Sequence, residues 1–184
     1  MNRPLLVIAV TICHALGFSV PLSAEEAEPQ ITAKQTDAPA AKTSKIKVTT
    51  VATGLANPWG LQFLPDGRML VTERSGKMRV VTADGKISEP ITGVPKVYAR
   101  GQGGLLDVRL AKDFADTGTL YLSFSAPDKK SRSSTAVARA KLVLSDDGGA
   151  LEDVKIIFRQ TPTVVSGRHF GSRILINDDG TLFI

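Results

Sequence analysis

The sequence predicts an all-β protein of the β-propeller type, and three observations carry that reading. Short segments rich in Val, Ile, Leu and Thr are separated by Gly, Pro and Asp turns. No segment carries the apolar periodicity of a three-turn helix. A strand, turn, strand unit recurs, with its turn glycine at Gly67, Gly118 and Gly180.

The chain begins with a different kind of segment. Met1 to Ala24 has a basic start at Arg3, an apolar body from Leu5 to Phe18, breakers at Gly17 and Pro21, and small residues Ser23 and Ala24 before Glu25. That is the pattern of a secretory signal peptide, residues 1–24, cleaved after Ala24, so the expected location is periplasmic or secreted. A lipid anchor at Cys13 fits poorly, because Val10-Thr11-Ile12 lacks the small residue expected before a lipidated cysteine. Residues 25–44 are rich in Ala, Glu, Lys, Thr and Pro and hold almost no large apolar side chain. They bury too little surface to offset the entropy of ordering and are expected to be a disordered linker.

Cys13 is the only cysteine, so the mature chain must be held by packing without a disulfide. Without the leader there are 22 Lys and Arg against 18 Asp and Glu, a formal charge of +4. The charges are scattered with mixed signs, and Lys129-Lys130 with Arg132 reads as a solvated loop. Nucleic acid is therefore not an expected partner. No apolar run is long enough to span a bilayer, so stable membrane insertion is not expected either.

The folded domain is expected over residues 45–184. Ile46, Val48 and Thr50 alternate with Lys47, Thr49 and Val51 in a strand-like pattern, and 46–53 is assigned as a closing strand of the last blade. Strands near 61–64, 69–74, 78–82 and 86–92 make the first blade. Strands near 104–110, 119–125, 135–144 and 153–159 make the second, and 173–176 with 181–184 begin a third. The spacings between the three turn glycines, 51 and 62 residues, suit four-stranded blades with loops. A β-sandwich of unrelated hairpins is the competing fold.

In a propeller the first strand of each blade lines the central channel, and the connections entering those strands lie on one face. Asn57-Pro58-Trp59-Gly60, Gly101-Gln102-Gly103-Gly104 and Ser166-Gly167-Arg168-His169 should therefore meet at one cavity. His169 is the only histidine beyond the leader. Imidazole is the side chain best suited to taking a proton near neutral pH, although a turn histidine that only bonds backbone is the plainer reading. Trp59 reads as blade packing rather than a stacking platform, and Asp107 as a satisfied structural carboxylate. Asp146-Asp147 and Asp178-Asp179 sit in turns without the spaced oxygen set of a calcium loop, so no metal ligand is named.

Five motifs stand in a fixed order: Asn57-Pro58-Trp59-Gly60, Phe63-Leu64-Pro65-Asp66-Gly67-Arg68, Thr72-Glu73-Arg74-Ser75-Gly76, Gly101-Gln102-Gly103-Gly104-Leu105-Leu106-Asp107-Val108 and His169-Phe170-Gly171-Ser172-Arg173. This set resembles the soluble glucose/sorbosone dehydrogenase family, and within it the periplasmic aldose sugar dehydrogenases that use pyrroloquinoline quinone (PQQ). The likeness covers residues 45–184, the N-terminal portion of such an enzyme. It implies a six-bladed propeller that oxidises an aldose sugar at its anomeric hydroxyl to the lactone and passes electrons to an external acceptor. It further implies that His169 is the catalytic base and that Gln102 hydrogen-bonds the cofactor. Arg168 departs from the acidic or amide residues expected at its place; a cofactor carboxylate or solvent are its two possible partners. Arg173 fits the family's Gly-x-Arg, and its charge needs either the cofactor or a structural carboxylate. Calcium is implied as a second cofactor, with ligands in later blades. Six blades need on the order of 300–350 residues, so about two and a half are expected here, in a truncated chain that is inactive alone. The rival functions are a non-catalytic propeller that binds protein or glycan, and a metal-dependent lactonase propeller.

Overall fold

The computed structural model describes residues 45–128, 130 and 132–184. The signal peptide and linker read from the sequence lie outside these residues. Of the two compact units, Met1–Ile46 contributes only Lys45 and Ile46 to the description, both exposed, and the fold is that of Lys47–Ile184.

Three antiparallel sheets follow one another. The first contains β1 (Pro58–Phe63), β2 (Met69–Glu73) and β3 (Lys77–Val81), in that order. The second is β4 (Leu105–Leu110), β5 (Thr119–Pro127), β6 (Ser133–Ser145) and β7 (Gly148–Arg159), and the third is the pair β8 (Leu175–Ile176) and β9 (Leu182–Phe183). Each sheet is a meander of consecutive strands with no crossover, which is the blade pattern of a propeller; a Greek-key sandwich needs strands that cross between sheets. The fold is thus a β-propeller, of which this chain forms two blades and the hairpin that opens a third.

Local chemistry explains the hairpins. Between β1 and β2 the Gly67 amide donates to the Leu64 carbonyl at 3.0 Å, with Gly67 at φ 85°, and Asp66 accepts from the amide, Nε and Nη2 of Arg68. These bonds hold the Asp66 carboxyl below its ordinary value, the Arg68 side chain contributing most. The longer link between β4 and β5 folds into a single helical turn, α1 (Phe114–Thr117), ended by Gly118 at φ 68°. Asp146 and Asp147 form the exposed two-residue tip between β6 and β7.

The core lies between the first two sheets. Leu120, Leu122, Phe124 and Ala126 of β5 alternate onto one face, beside Ala136, Ala138, Ala140 and Leu142 of β6. The register sets large against small, Leu120 with Ala140, Leu122 with Ala138 and Phe124 with Ala136. That contour lets Leu64, Leu70, Met78 and Val80 of the first sheet pack closely against it. Each such leucine, fully buried, contributes about 1.5–3 kcal/mol.

Two expected strands do not form. Residues 86–92 follow β3 irregularly: the Ser88 amide donates to the Val80 carbonyl and the Ile91 amide to that of Met78, and only an isolated bridge joins Val81 to Ile87. Pro90 has no amide hydrogen to continue the ladder. Beyond it Thr92 leaves for the second sheet, where it pairs with Gly149 and Leu151. Residues 47–53 also make no strand, and Val48 is 89% exposed. Their alternation finds no partner strand among the described residues, and an unpaired strand gains nothing from its pattern.

Candidate functional site

Both inner strands carry the same irregularity. On β1, Pro58 pairs with Glu73 and Leu61 with Val71; on β4, Leu105 pairs with Phe124 and Val108 with Leu122. Each first strand thus holds one extra residue, a β-bulge, where it leaves its entering connection. The bulges lie side by side. The Thr72 hydroxyl accepts from the Gly60 amide at 2.8 Å and donates to the Leu106 carbonyl at 2.6 Å, so one buried side chain links both.

The three connections meet as expected. Trp59, Arg74, Gln102, Leu106, His169, Phe170 and Gly171 line one cavity of about 460 Å³. Trp59 is 41% exposed and forms part of this wall, which corrects its assignment to blade packing: the bulge turns the indole out of the sheet. Arg74, which belongs to the Thr72–Gly76 motif and which the sequence does not mark as a site residue, is the cation of the wall. Its Nη1 donates to the Gly101 carbonyl at 2.7 Å and the Gly103 carbonyl at 3.2 Å.

Gln102 clasps the histidine segment twice. Its amide donates to the Gly167 carbonyl at 2.7 Å, and its Oε1 accepts from the His169 amide at 2.9 Å. Gly101, at φ 57°, lies directly against the Gly167 carbonyl, which leaves no room for a Cβ. Gly103 is confined likewise: a Cβ there would sit 2.7 Å from Ser125 Oγ and 3.0 Å from the Phe170 ring. Close approach as well as turn geometry therefore fixes these glycines. His169 itself has φ 60°, a left-handed conformation that few residues with a side chain adopt.

Behind the cavity, the second sheet grips residues 166–174 with side chains of one face. The hydroxyls of Ser133, Thr135 and Ser123 donate to the carbonyls of Ser166 (3.3 Å), Phe170 (2.7 Å) and Ser172 (2.5 Å). Asp107, fully buried, accepts from the Ile174 amide and from Nη1 of Arg173, each at 2.8 Å, and Arg109 Nε donates to the Ile174 carbonyl. Asp107 is the structural carboxylate that the sequence suggested, and it is the partner Arg173 required, although that arginine side chain stays 57% exposed. Arg168 is exposed, does not line the cavity, and donates its amide to Ser166 Oγ.

Directly after β5, Asp128 accepts from the amides of Lys130 and Arg132, Arg132 Nε and the Thr163 hydroxyl, all at 2.8 Å. Desolvation pushes its carboxyl up, but these donors outweigh it and hold the group well below the carboxylate range. Among the described residues no cluster of three His, Cys, Asp or Glu is arranged to hold a metal ion.

The family model for glucose/sorbosone dehydrogenases matches residues 55–184. Over 140 residues the chain is 43% identical to the aldose sugar dehydrogenase YliI of Escherichia coli (strain K12), covering 76% of this chain and 37% of that protein. A solved glucose dehydrogenase superposes with TM-score 0.70 at 46% identity, covering 76% of this chain and 43% of its own. The PQQ-bound aldose sugar dehydrogenase of Streptomyces coelicolor superposes with TM-score 0.67 at 33% identity, covering 79% and 42%. The chain thus spans about two fifths of the length of these relatives.

Proposed function

The chain belongs to the glucose/sorbosone dehydrogenase family, and from that premise we propose that the complete protein is a PQQ-dependent dehydrogenase that oxidises aldose sugars at the anomeric hydroxyl to the lactone. The observation that carries the proposal is the single cavity at which His169, Gln102, Arg74 and Trp59 converge. The residues suit a planar, polyanionic quinone. Trp59 offers a flat wall, and Gln102 an Nε2 that makes no hydrogen bond among the described residues, while Oε1 is engaged by His169. Gln102 is proposed to donate to the cofactor; Arg168 and Arg173, exposed and outside the cavity wall, are proposed to reach its carboxylates from the rim, Arg173 with the guanidinium nitrogens that its bond to Asp107 leaves free.

When bound, PQQ supplies the two-electron acceptor for the hydride leaving the anomeric carbon. His169 takes the proton of the anomeric hydroxyl on its imidazole, so that charge does not build up on the sugar as the hydride departs. Holding the His169 backbone at one φ fixes the direction in which its Cα–Cβ bond leaves the chain, a first part of the positioning such a base needs. An external electron acceptor, a calcium ion liganded outside residues 45–184, and a periplasmic or secreted location belong to the same proposal.

Dye-linked sugar oxidation by the complete protein, with PQQ and calcium added and omitted, tests it. Turnover is expected only with PQQ, and residues 45–184 expressed alone are expected to give none. PQQ-independent turnover, or none under any condition, overturns the proposal.

A further inference from the structure

We propose that Arg74 is a positioning residue for His169, acting through the 101–103 turn and Gln102; this rests on His169 being the base. Six contacts build the case. The guanidinium grips the Gly101 and Gly103 carbonyls, bracketing Gln102 on both sides. Gln102 in turn meets the histidine segment with its backbone amide and with Oε1. Arg74 is anchored itself, since its amide donates to the Asn57 carbonyl at 3.0 Å and its carbonyl accepts from the Leu105 amide at 3.1 Å. Two sheets and three connections are thereby wired in series, ending on the amide of His169, which is held at φ 60°.

That order of contacts decides between two roles for the guanidinium. A left-handed non-glycine residue persists only where its surroundings over-determine it. The partner of the His169 amide is a flexible side chain, so the direction of that side chain must be fixed from elsewhere. A charge-assisted clamp on the carbonyls either side of Gln102 does this. Among the described residues Arg74 forms no ion pair, and the groups it does bind are those two carbonyls. Its competing role, charge partner of an anionic ligand in the cavity, predicts a different response to substitution.

The test uses the complete protein with Arg74→Met, Arg74→Lys, Gln102→Ala, Gln102→Glu and the double variant Arg74→Met/Gln102→Ala. In cofactor-free protein, amide hydrogen exchange at His169 is expected to rise about tenfold in Arg74→Met and Gln102→Ala, with core amides of the second sheet unchanged. Arg74→Lys should give an intermediate rise, and it carries the test if Arg74→Met does not fold. Gln102→Glu keeps an acceptor for the His169 amide and should stay near wild type. At saturating PQQ, Arg74→Met should lower kcat about tenfold, with KM for glucose and PQQ affinity within about twofold. The double variant should be no slower than Gln102→Ala, because residues acting in series are not additive. Unchanged exchange at His169, a loss of PQQ affinity with kcat intact, or additive losses in the double variant would each overturn the proposal. If the wild-type protein oxidises no sugar with PQQ, the reading of His169 as a base fails, and the exchange measurements still decide the role of Arg74.

Discussion

The two faces of the second sheet obey different rules. One carries Leu120, Leu122, Phe124, Ala136, Ala138 and Ala140, packs against the first sheet, and is held by shape and apolar area. The other carries Asp107, Ser123, Ser125, Ser133 and Thr135, is just as buried, and is held by directed bonds to the backbone of neighbouring connections. Apolar packing is strong but indifferent to small displacements along the sheet. Hydrogen bonds to carbonyls and amides fix a segment to within a few tenths of an ångström. The sheet is thus stabilised by one face and aims the His169 segment with the other.

Breaking the apolar face should cost most in stability. Phe124→Ala is expected to remove about 3–5 kcal/mol in denaturant unfolding of the complete protein, by creating a cavity where Phe124 meets Ala136. His169→Ala should show the reverse, with turnover reduced about 10²–10⁴-fold in the dye-linked assay and the unfolding midpoint little changed. A comparable stability loss in that variant would refute the division of labour. Asp107→Ala removes a buried acceptor from the Ile174 amide and Arg173, and should cost about 2–3 kcal/mol along with a clear loss of kcat. Thr135→Val sharpens the comparison: one hydroxyl bond to the Phe170 carbonyl is lost with little change of shape, so about 1 kcal/mol of stability should go. Amide exchange should rise near residue 170 and not in the core.

The smallest expected effect is pH-dependent. Because the carboxyl of Asp128 titrates lower in the folded protein than in the unfolded chain, its contribution is fully present above the ordinary carboxylate value and is lost as pH falls through the folded one. The difference in melting temperature between wild type and Asp128→Asn should therefore shrink steadily below about pH 4. A difference that stays constant down to pH 2 would mean that the bonds of the Asp128 carboxyl to Arg132 and Thr163 contribute nothing through charge.

Much of this could be read from the residues. The turn glycines, the meander and the meeting of three connections follow from local chemistry and a repeat, and these are features a sequence writes down directly. Other features depend on counting residues across a pair of strands. The bulges that turn Trp59 into the cavity wall and set Asp107 behind it appear only in the register. Ser123, Ser125, Ser133 and Thr135 alternate with core residues, and only the placement of residues 98–104 and 166–174 over them makes that face a buried one. The signal was there, in four hydroxyl residues at every second position of two strands that the core required. Residues 86–92 looked like a strand because their composition suits one, whereas Pro90 and the departure of Thr92 to another sheet are matters of connection.

The paired bulges also set a constraint of phase. A strand with one extra residue is out of step with itself, so side chains before and after that point answer to opposite faces. In β1 the later half presents Gln62 toward Arg109 of the neighbouring strand, at 3.3 Å, while the earlier half presents Trp59 to the cavity. Removing the extra residue would force one half to turn over, sending either the indole away from the cavity or the amide away from Arg109. Length at this point is therefore a coding property of the blade: the parity of a single residue keeps the packing half and the ligand-facing half of the same strand in their separate alphabets.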